Sequence, residues 1–298
     1  MFFAIECRSD SAIAELAASC IVCGKSESST RGIADLMKLR IATYNIHKGV
    51  TSGRPRIHAL KQALTQLDAD LLFLQEVQGR HDRHALRHAA HWPSLGQHEY
   101  LAGESHHSAY GMNAVYDHGH HGNALLSRFS IATVRNQDVS DHAYEARGIL
   151  HCVVDIGGAE VHCYVIHLGL FAGSRHRQTA ALIEAVRASA PPAAPLIIAG
   201  DFNDWGNKLS DVLRLRLGVS EVFEQQMLNP GLMGYLRKLG GMRPLVQPAR
   251  TFPASLPMLR LDRIYLRGFE VESAQVLRGG LWSQLSDHAP IISTLRLK

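Results

Sequence analysis

The sequence has no apolar run approaching the roughly 18 residues a membrane-spanning helix needs. It has little excess charge of either sign: 31 Lys and Arg against 27 Asp and Glu leave +4 at pH 7. So small a balance excludes a surface built to coat nucleic acid. Cysteine is scarce and odd in number, with five residues: Cys7, Cys20, Cys23, Cys152 and Cys163. Cys20-x-x-Cys23 has no second half nearby to complete a zinc or redox motif, so the thiols read as reduced and incidental. Cys152 and Cys163 lie in neighbouring apolar runs, where they can face each other across a hairpin as core thiols. The first residues lack the basic-then-apolar order of a secretory signal, because Glu6, Arg8, Asp10 and Glu15 interrupt them. The expected compartment is the cytoplasm. No internal repeat or low-complexity linker divides the chain.

What is present fits a globular protein. The hydrophobic fraction is 46% and the charged fraction 19%. Residues 1–37 carry three Lys/Arg against five Asp/Glu, which leaves about +6 on the rest. That suits a phosphate-bearing partner held with moderate affinity. The 18 histidines are the unusual feature, mostly neutral at pH 7 and cationic below about pH 6.5.

Leu39–Tyr44 reads as a buried strand. Ile57, Leu60, Leu64 and Leu67 recur at helical spacing and predict an amphipathic helix over 57–67. With a strand over 70–77, that unit would bring Asn45 and Glu76 to the same rim. A polar helix is predicted over 80–91. Strands are expected near 113–116, 123–127, 131–135, 148–155 and 160–167, the last two joined by a tight turn at Gly157-Gly158. A helix over 174–188 takes Ser174 as its N-cap. A strand over 196–200 comes after Pro191, Pro192 and Pro195. Residues 208–239 read as helical in pieces and 240–257 as a loop. Strands near 263–266, 270–276 and 291–297 close the chain. Strands interleaved with helices predict an α/β fold, a two-sheet sandwich covered by helices.

The predicted strands end on chemistry. The stops are Thr43-Tyr44-Asn45, Leu74-Gln75-Glu76, Ile166-His167-Leu168, Gly200-Asp201-Phe202-Asn203, Leu261-Asp262-Arg263 and Ser286-Asp287-His288. A rigid sheet presents hard oxygen ligands and proton-transfer groups at one rim in this way. One such stop means little; the whole ordered set is hard to attribute to ordinary strand ends. It resembles the endonuclease/exonuclease/phosphatase superfamily, whose fold is that of pancreatic deoxyribonuclease. The resemblance runs from about Leu39 to the C-terminus, and Gly200-Asp-Phe-Asn203 with Ser286-Asp-His288 carries it most specifically. It implies two packed, mainly antiparallel β-sheets flanked by helices in four layers. It also implies hydrolysis of a phosphate ester with Mg²⁺ or Mn²⁺. Residues 38–298 would form a single catalytic domain, expected to be monomeric. Residues 1–37 would be an N-terminal extension, with Met37 as the true start; the other reading is a short helix near 11–19 packed on the domain.

Hydrolysis of a phosphate ester needs a positioned water, neutralised phosphoryl oxygens and a stabilised leaving oxygen. The resemblance implies Glu76, Asn45 and Asp287 as metal ligands. Asp201 would orient and deprotonate the water, Asn203 would donate to a phosphoryl oxygen, and Asp262 would orient an imidazole. His288 would be a general base or a phosphate contact. His167, in Ile166-His-Leu-Gly-Leu170, would act on the transition state. That last motif resembles the pancreatic nuclease and sphingomyelinase branches more than the abasic-site nucleases, which have a tyrosine on the matching strand. Arg147 and His121 are candidate contacts to the substrate phosphate.

Substrate choice stays open between a nucleic acid and a phospholipid, phosphoinositide or small phosphoester. Residues 205–257 mix apolar and basic side chains and suit either. A non-catalytic module on the same fold should have lost one of these carboxylates or His288, and all are present. His81, His84, His88 and His91 share a helical spacing, which reads as a solvated face before it reads as a soft-metal site.

Overall fold

The computed structural model describes residues 38–142, 144–228 and 249–298. The N-terminal extension, its possible short helix, the Cys20-x-x-Cys23 pair and the helical reading of 229–239 lie outside the described residues. In chain order, the first half contains β1 (Lys38–Asn45), β2 (Val50–Thr51), β3 (Arg54–Pro55), α1 (Ile57–Leu67), β4 (Leu71–His81), α2 (Asp82–Arg87) and α3 (Gln97–Ala102). Then come β5 (His107–Tyr116), β6 (Gly119–Ser127), β7 (Ile131–Asp138), β8 (Gly148–Ile156), β9 (Ala159–His167), α4 (Ala172–Ser189) and β10 (Leu196–Asp201). The remainder is α5 (Ser210–Leu217), β11 (Ser220–Glu221), α6 (Val222–Leu228), β12 (Asp262–Arg267), β13 (Phe269–Val276), α7 (Trp282–Leu285) and β14 (Ile291–Leu297).

The strands form two six-stranded mixed sheets, ordered β13-β14-β1-β4-β6-β5 and β11-β12-β10-β9-β8-β7. Each sheet is antiparallel except for one parallel pair, β1 with β4 and β9 with β10. A parallel pair needs a crossover, and α1 and α4 supply the two.

Alternation of side chains along the strands creates the layers. Leu39, Ile41, Leu71 and Phe73 point from the first sheet toward Leu150, Val165, Ile197 and Ala199 of the second. Ala42, Tyr44, Leu72 and Leu74 point outward onto Ile57, Leu60 and Leu64 of α1. Tyr164, Ile166 and Ile198 point the other way onto Leu182, Ile183 and Val186 of α4. The result is the expected helix–sheet–sheet–helix stack. Truncating a fully buried core ring such as Phe73 would cost about 3–5 kcal/mol. Cys152 and Cys163 are directly opposite in the β8–β9 ladder, buried and unbridged in this core. Burial pushes the Cys152 thiol up to about 12, so it is unreactive.

Some local expectations give way to pairing. The helix predicted over 80–91 is reduced to α2, because Arg80 and His81 remain in β4 and pair with His120 and Gly119. His81 then caps α2 by accepting the His84 N–H at 3.1 Å. Ser174 is not an N-cap. Helix α4 begins at Ala172, and the Ser174 hydroxyl donates to Asp141 at 2.6 Å. Helices α3 and α7 are too short for periodicity to announce them.

Candidate functional site

Both parallel pairs end at the same edge of the sandwich, and that edge holds the chemistry. Asn45, the last residue of β1, pairs with Gln75, where the β1–β4 ladder stops and β4 runs on to His81. Asp201 pairs with His167 on one side and Asp262 on the other. The β4–β6 register slips between Leu74 and Val77, and Glu76 has a positive φ of 55° within that bulge. Bulges re-aim side chains, and here the aimed group is Glu76. Gly200, with φ of 152°, lets β10 lie close to β9: a Cβ there would come within 1.9 Å of the Ile166 carbonyl oxygen.

A hydrogen bond joins the two sheets at this rim. The Asn45 amide donates to Asp201 Oδ2 at 3.2 Å and to Glu76 Oε1 at 3.3 Å. The Asn45 amide oxygen accepts the His47 N–H at 3.0 Å, so it faces the chain and its nitrogen faces the carboxylates.

Asp201 is the hub. Its Oδ1 accepts the Asn203 N–H at 3.0 Å. Around its Oδ2 lie His167 Nε2 at 3.6 Å and His288 Nε2 at 3.7 Å, besides Asn45. His288 Nδ1 is 2.9 Å from Asp262 Oδ2, and the Phe252 ring packs 5.1 Å from the imidazole centroid. Burial raises the Asp201 carboxyl above the usual range, and His288 opposes that shift. Burial alone would lower His288, but Asp262 and Asp201 overcome it and raise the imidazole well above its ordinary value. His167 is driven far the other way, by burial first and then by Arg147 and His288. The rim thus holds one imidazole kept cationic and one kept neutral around a single carboxylate.

A second group lies beside it. Asp287 Oδ1 is 3.3 Å from His47 Nδ1, and Lys48 Nζ is 3.8 Å from Glu76 Oε2. Ser286 ties this side down by donating to the Asn45 carbonyl at 2.7 Å. Burial raises Asp287, but its hydrogen bond to His47 and the nearby charge of His288 together outweigh that, leaving the carboxyl below its usual range.

The donor chemistry fits a hard divalent cation. Glu76 and Asp287 offer hard carboxylate oxygens at the rim, at present facing Lys48 and His47. Asp201, Asp262 and His288 form the tightest cluster of ligating atoms among the described residues, all within 4.8 Å. Asp262 Oδ2 already takes up His288 Nδ1 there, so the cluster reads as a proton-holding network. Glu76 and Asp287 could hold such an ion, whereas Asn45, expected as a ligand, turns its amide nitrogen and not its oxygen toward Glu76 and Asp201.

The remaining candidates are near but differently engaged. The Asn203 side-chain amide donates to the Leu168 carbonyl at 2.9 Å. Arg147 donates to the same carbonyl at 3.2 Å and to Glu145 at 3.2 Å, so its guanidinium is held by the protein. His121 packs on Tyr116, and burial, then Lys48, bring its imidazole down to about 4. The sequence alone assigns no role to His47, Lys48 or Ser286. A signal for the first two exists, two basic residues shortly after the strand-ending Asn45. The histidines at 81, 84 and 88 stack with one another and with Trp92, and make no metal-sized cluster among the described residues.

A carboxylate-and-imidazole rim across two mixed sheets defines a phosphoester-hydrolase type of site. The chain belongs to the endonuclease/exonuclease/phosphatase family, whose model matches residues 42–288. Members of that family are phosphoesterases or nucleases. The chain is 39% identical over 263 residues to the uncharacterized protein YbhP of Escherichia coli (strain K12), covering 87% of this chain and 96% of that protein. Among solved structures, it resembles a family protein from Bacteroides vulgatus (TM-score 0.65, 14% identity, 88% of this chain and 100% of that one). It also resembles D. rerio TDP2 crystallised with a single-strand DNA product (TM-score 0.60, 21% identity, 87% and 98%). A third is the mannosyl-6-phosphatase Bt3783 of Bacteroides thetaiotaomicron (TM-score 0.61, 18% identity, 86% and 99%). At these identities the structures establish the shared fold.

Proposed function

We propose that the protein is a divalent-metal-dependent phosphodiesterase that directs water in line at a phosphate ester. The observation that carries this reading is the placement of Asp201 Oδ2 between His167, His288 and the Asn45 amide. Glu76 and Asp287 would hold Mg²⁺ or Mn²⁺, which supplies neutralisation of charge on the phosphoryl and leaving oxygens when bound, and Asn45 would steady the Glu76 carboxylate through its amide N–H.

This chain's own groups do the rest. Asp201, its carboxyl raised by burial, takes a proton from the attacking water and fixes its direction. The His288 imidazolium, held by Asp262, turns Nε2 toward a phosphoryl oxygen and stabilises the charge that grows there. Neutral His167 donates a hydrogen bond from Nε2, either to the phosphoryl group or to the leaving oxygen. Asn203 adds its second amide hydrogen. Arg147 fixes the His167–Leu168 backbone and contributes its charge at a distance. His121 supplies a further neutral donor.

The similarity to TDP2 and to a mannosyl-6-phosphatase supports phosphoester chemistry and leaves both nucleic-acid and small-molecule esters in play. No helix of the described residues is long and apolar enough to cross a membrane. Hydrolysis of bis(p-nitrophenyl) phosphate with and without EDTA tests the proposal. Metal-dependent release of nitrophenol supports it, and full release in EDTA contradicts it.

A further inference from the structure

The loops that leave His167 and Asn203 meet again beside the rim. Leu170 and Phe171 on one loop, Arg175 in the first turn of α4 that follows it, and Asp204, Trp205 and Lys208 on the other loop line a hollow of about 620 Å³. That is the size of a small-molecule site, roughly 300–1,000 Å³. Asp204 comes directly after Asn203, so the hollow begins one residue from the proposed phosphate position.

Its aromatic walls are unusual. Phe171 is 64% exposed, Trp205 52% and Leu170 54%. Single exposed hydrophobics are ordinary, but three around one hollow beside a reactive rim are not. The Trp205 ring is also held in place. The Arg175 guanidinium lies 5.4 Å from its centroid and is itself fixed by a 3.2 Å hydrogen bond to the Gly169 carbonyl and a second to that of Leu170. One face of the indole is therefore engaged by a cation, and the ring stays half-exposed. Such a ring is a preorganised stacking platform.

We propose that this hollow is a base-binding subsite, which takes the nucleobase of a nucleotide ester whose phosphate lies at Asp201 and His288. The inference rests on the phosphoesterase reading of the rim and adds the substrate class. A nucleobase has a flat π-face for Trp205 and Phe171 and polar edges for Lys208 and His176. An alkyl chain would strip water from those polar groups without replacing their hydrogen bonds.

Calorimetric titration of the full chain in Mg²⁺ buffer tests it, with thymidine 5′-monophosphate, methyl phosphate and decyl phosphate as probes and phosphate release followed in the same samples. All three carry the same charged group, so differences read the hollow. Thymidine 5′-monophosphate should bind at least roughly tenfold more tightly than methyl phosphate. Trp205→Ala and Phe171→Ala should each cut that advantage by roughly five- to hundredfold, the range of one base–aromatic stack. Trp205→Phe should restore most of it. Both side chains are largely exposed, so the variants should keep the wild-type melting temperature. Equal affinity for the thymidine and methyl esters overturns the proposal. A larger gain for decyl phosphate also overturns it and makes the hollow a lipid-chain site. Parallel hydrolysis of bis(p-nitrophenyl) phosphate separates the two readings. Hydrolysis without thymidine preference removes the subsite alone; thymidine preference without hydrolysis removes the phosphodiesterase and keeps the subsite.

Discussion

His288 Nδ1 lies 2.9 Å from Asp262 Oδ2, and both residues are buried. The bond fixes which way the imidazole faces: its other nitrogen must point toward Asp201, 3.7 Å away. In the proposed mechanism Asp262 acts by orienting this ring. Asp262→Asn should therefore lower kcat by roughly 10–100-fold, the usual cost of losing such an orienting partner, without altering the Mg²⁺ concentration that gives half-activation. Steady-state kinetics across a Mg²⁺ titration measures both. A shift in the Mg²⁺ midpoint would make Asp262 part of the metal site instead.

His167 closes the other side of Asp201. Replacing it with alanine should lower kcat by roughly 10²–10⁴, the range for a general acid–base or transition-state donor, with little change in KM. An unchanged kcat would take His167 out of the mechanism.

The rim was legible because strand ends are where sequence and fold coincide. A buried run such as Leu71-Leu-Phe-Leu74 sets Gln75 beside Asn45, although what aims Glu76 into the rim is the bulge that follows, inside a strand that runs on to His81. The β1–β4 pairing was legible for the same reason, since a helix between two apolar runs dictates the crossover. The strands β5 and β6 were harder. Only their C-terminal halves were expected, because His107, Ser108, His120 and His121 carry no apolar alternation, yet they pair along the full length of the hairpin. The roles of His47 and Lys48 were invisible because they lie after the strand, where only the turn decides what they face. The amide orientation of Asn45 depends on the His47 N–H that it accepts, a contact no motif encodes.

Gly200 makes the rim possible. Its φ is 152°, and an added Cβ would lie 1.9 Å from the Ile166 carbonyl oxygen, backbone that cannot move aside. Gly200→Ala should destabilise the protein by about 2–4 kcal/mol, or roughly 5–15 °C in melting temperature. Gly173→Ala, in helix α4 with only ordinary contacts at 3.6 Å, should be neutral or stabilising. Thermal melts of the two variants check the contrast.

Acid should weaken the fold at a site away from the rim. His151 Nε2 and His162 Nδ1 are 3.1 Å apart, and His151 stacks on Tyr164 with a centroid separation of 4.3 Å. Burial, then His162 and Arg135, lower the His151 imidazole from its ordinary 6.5 to about 4. The unfolded chain therefore binds this proton first as pH falls. Stability is full above pH 6.5, declines between 6.5 and 4, and levels off below, at a total cost of roughly 2 kcal/mol once solvent screening is allowed for. Urea unfolding at pH 7.5 and pH 4.5 should show this loss in the wild type and a smaller one in His151→Gln.

The central claim is that Glu76 and Asp287 hold a divalent cation for phosphodiester hydrolysis at the Asp201 hub. Its most direct test is the rate of bis(p-nitrophenyl) phosphate hydrolysis after EDTA treatment, then on stepwise return of Mg²⁺ or Mn²⁺, for wild type and Glu76→Ala. The expected result is no activity in EDTA, full recovery with either metal in the wild type, and a recovery curve displaced to higher metal concentration with a lower plateau in Glu76→Ala. Undiminished hydrolysis in EDTA, or superimposable metal curves for the two proteins, would contradict it.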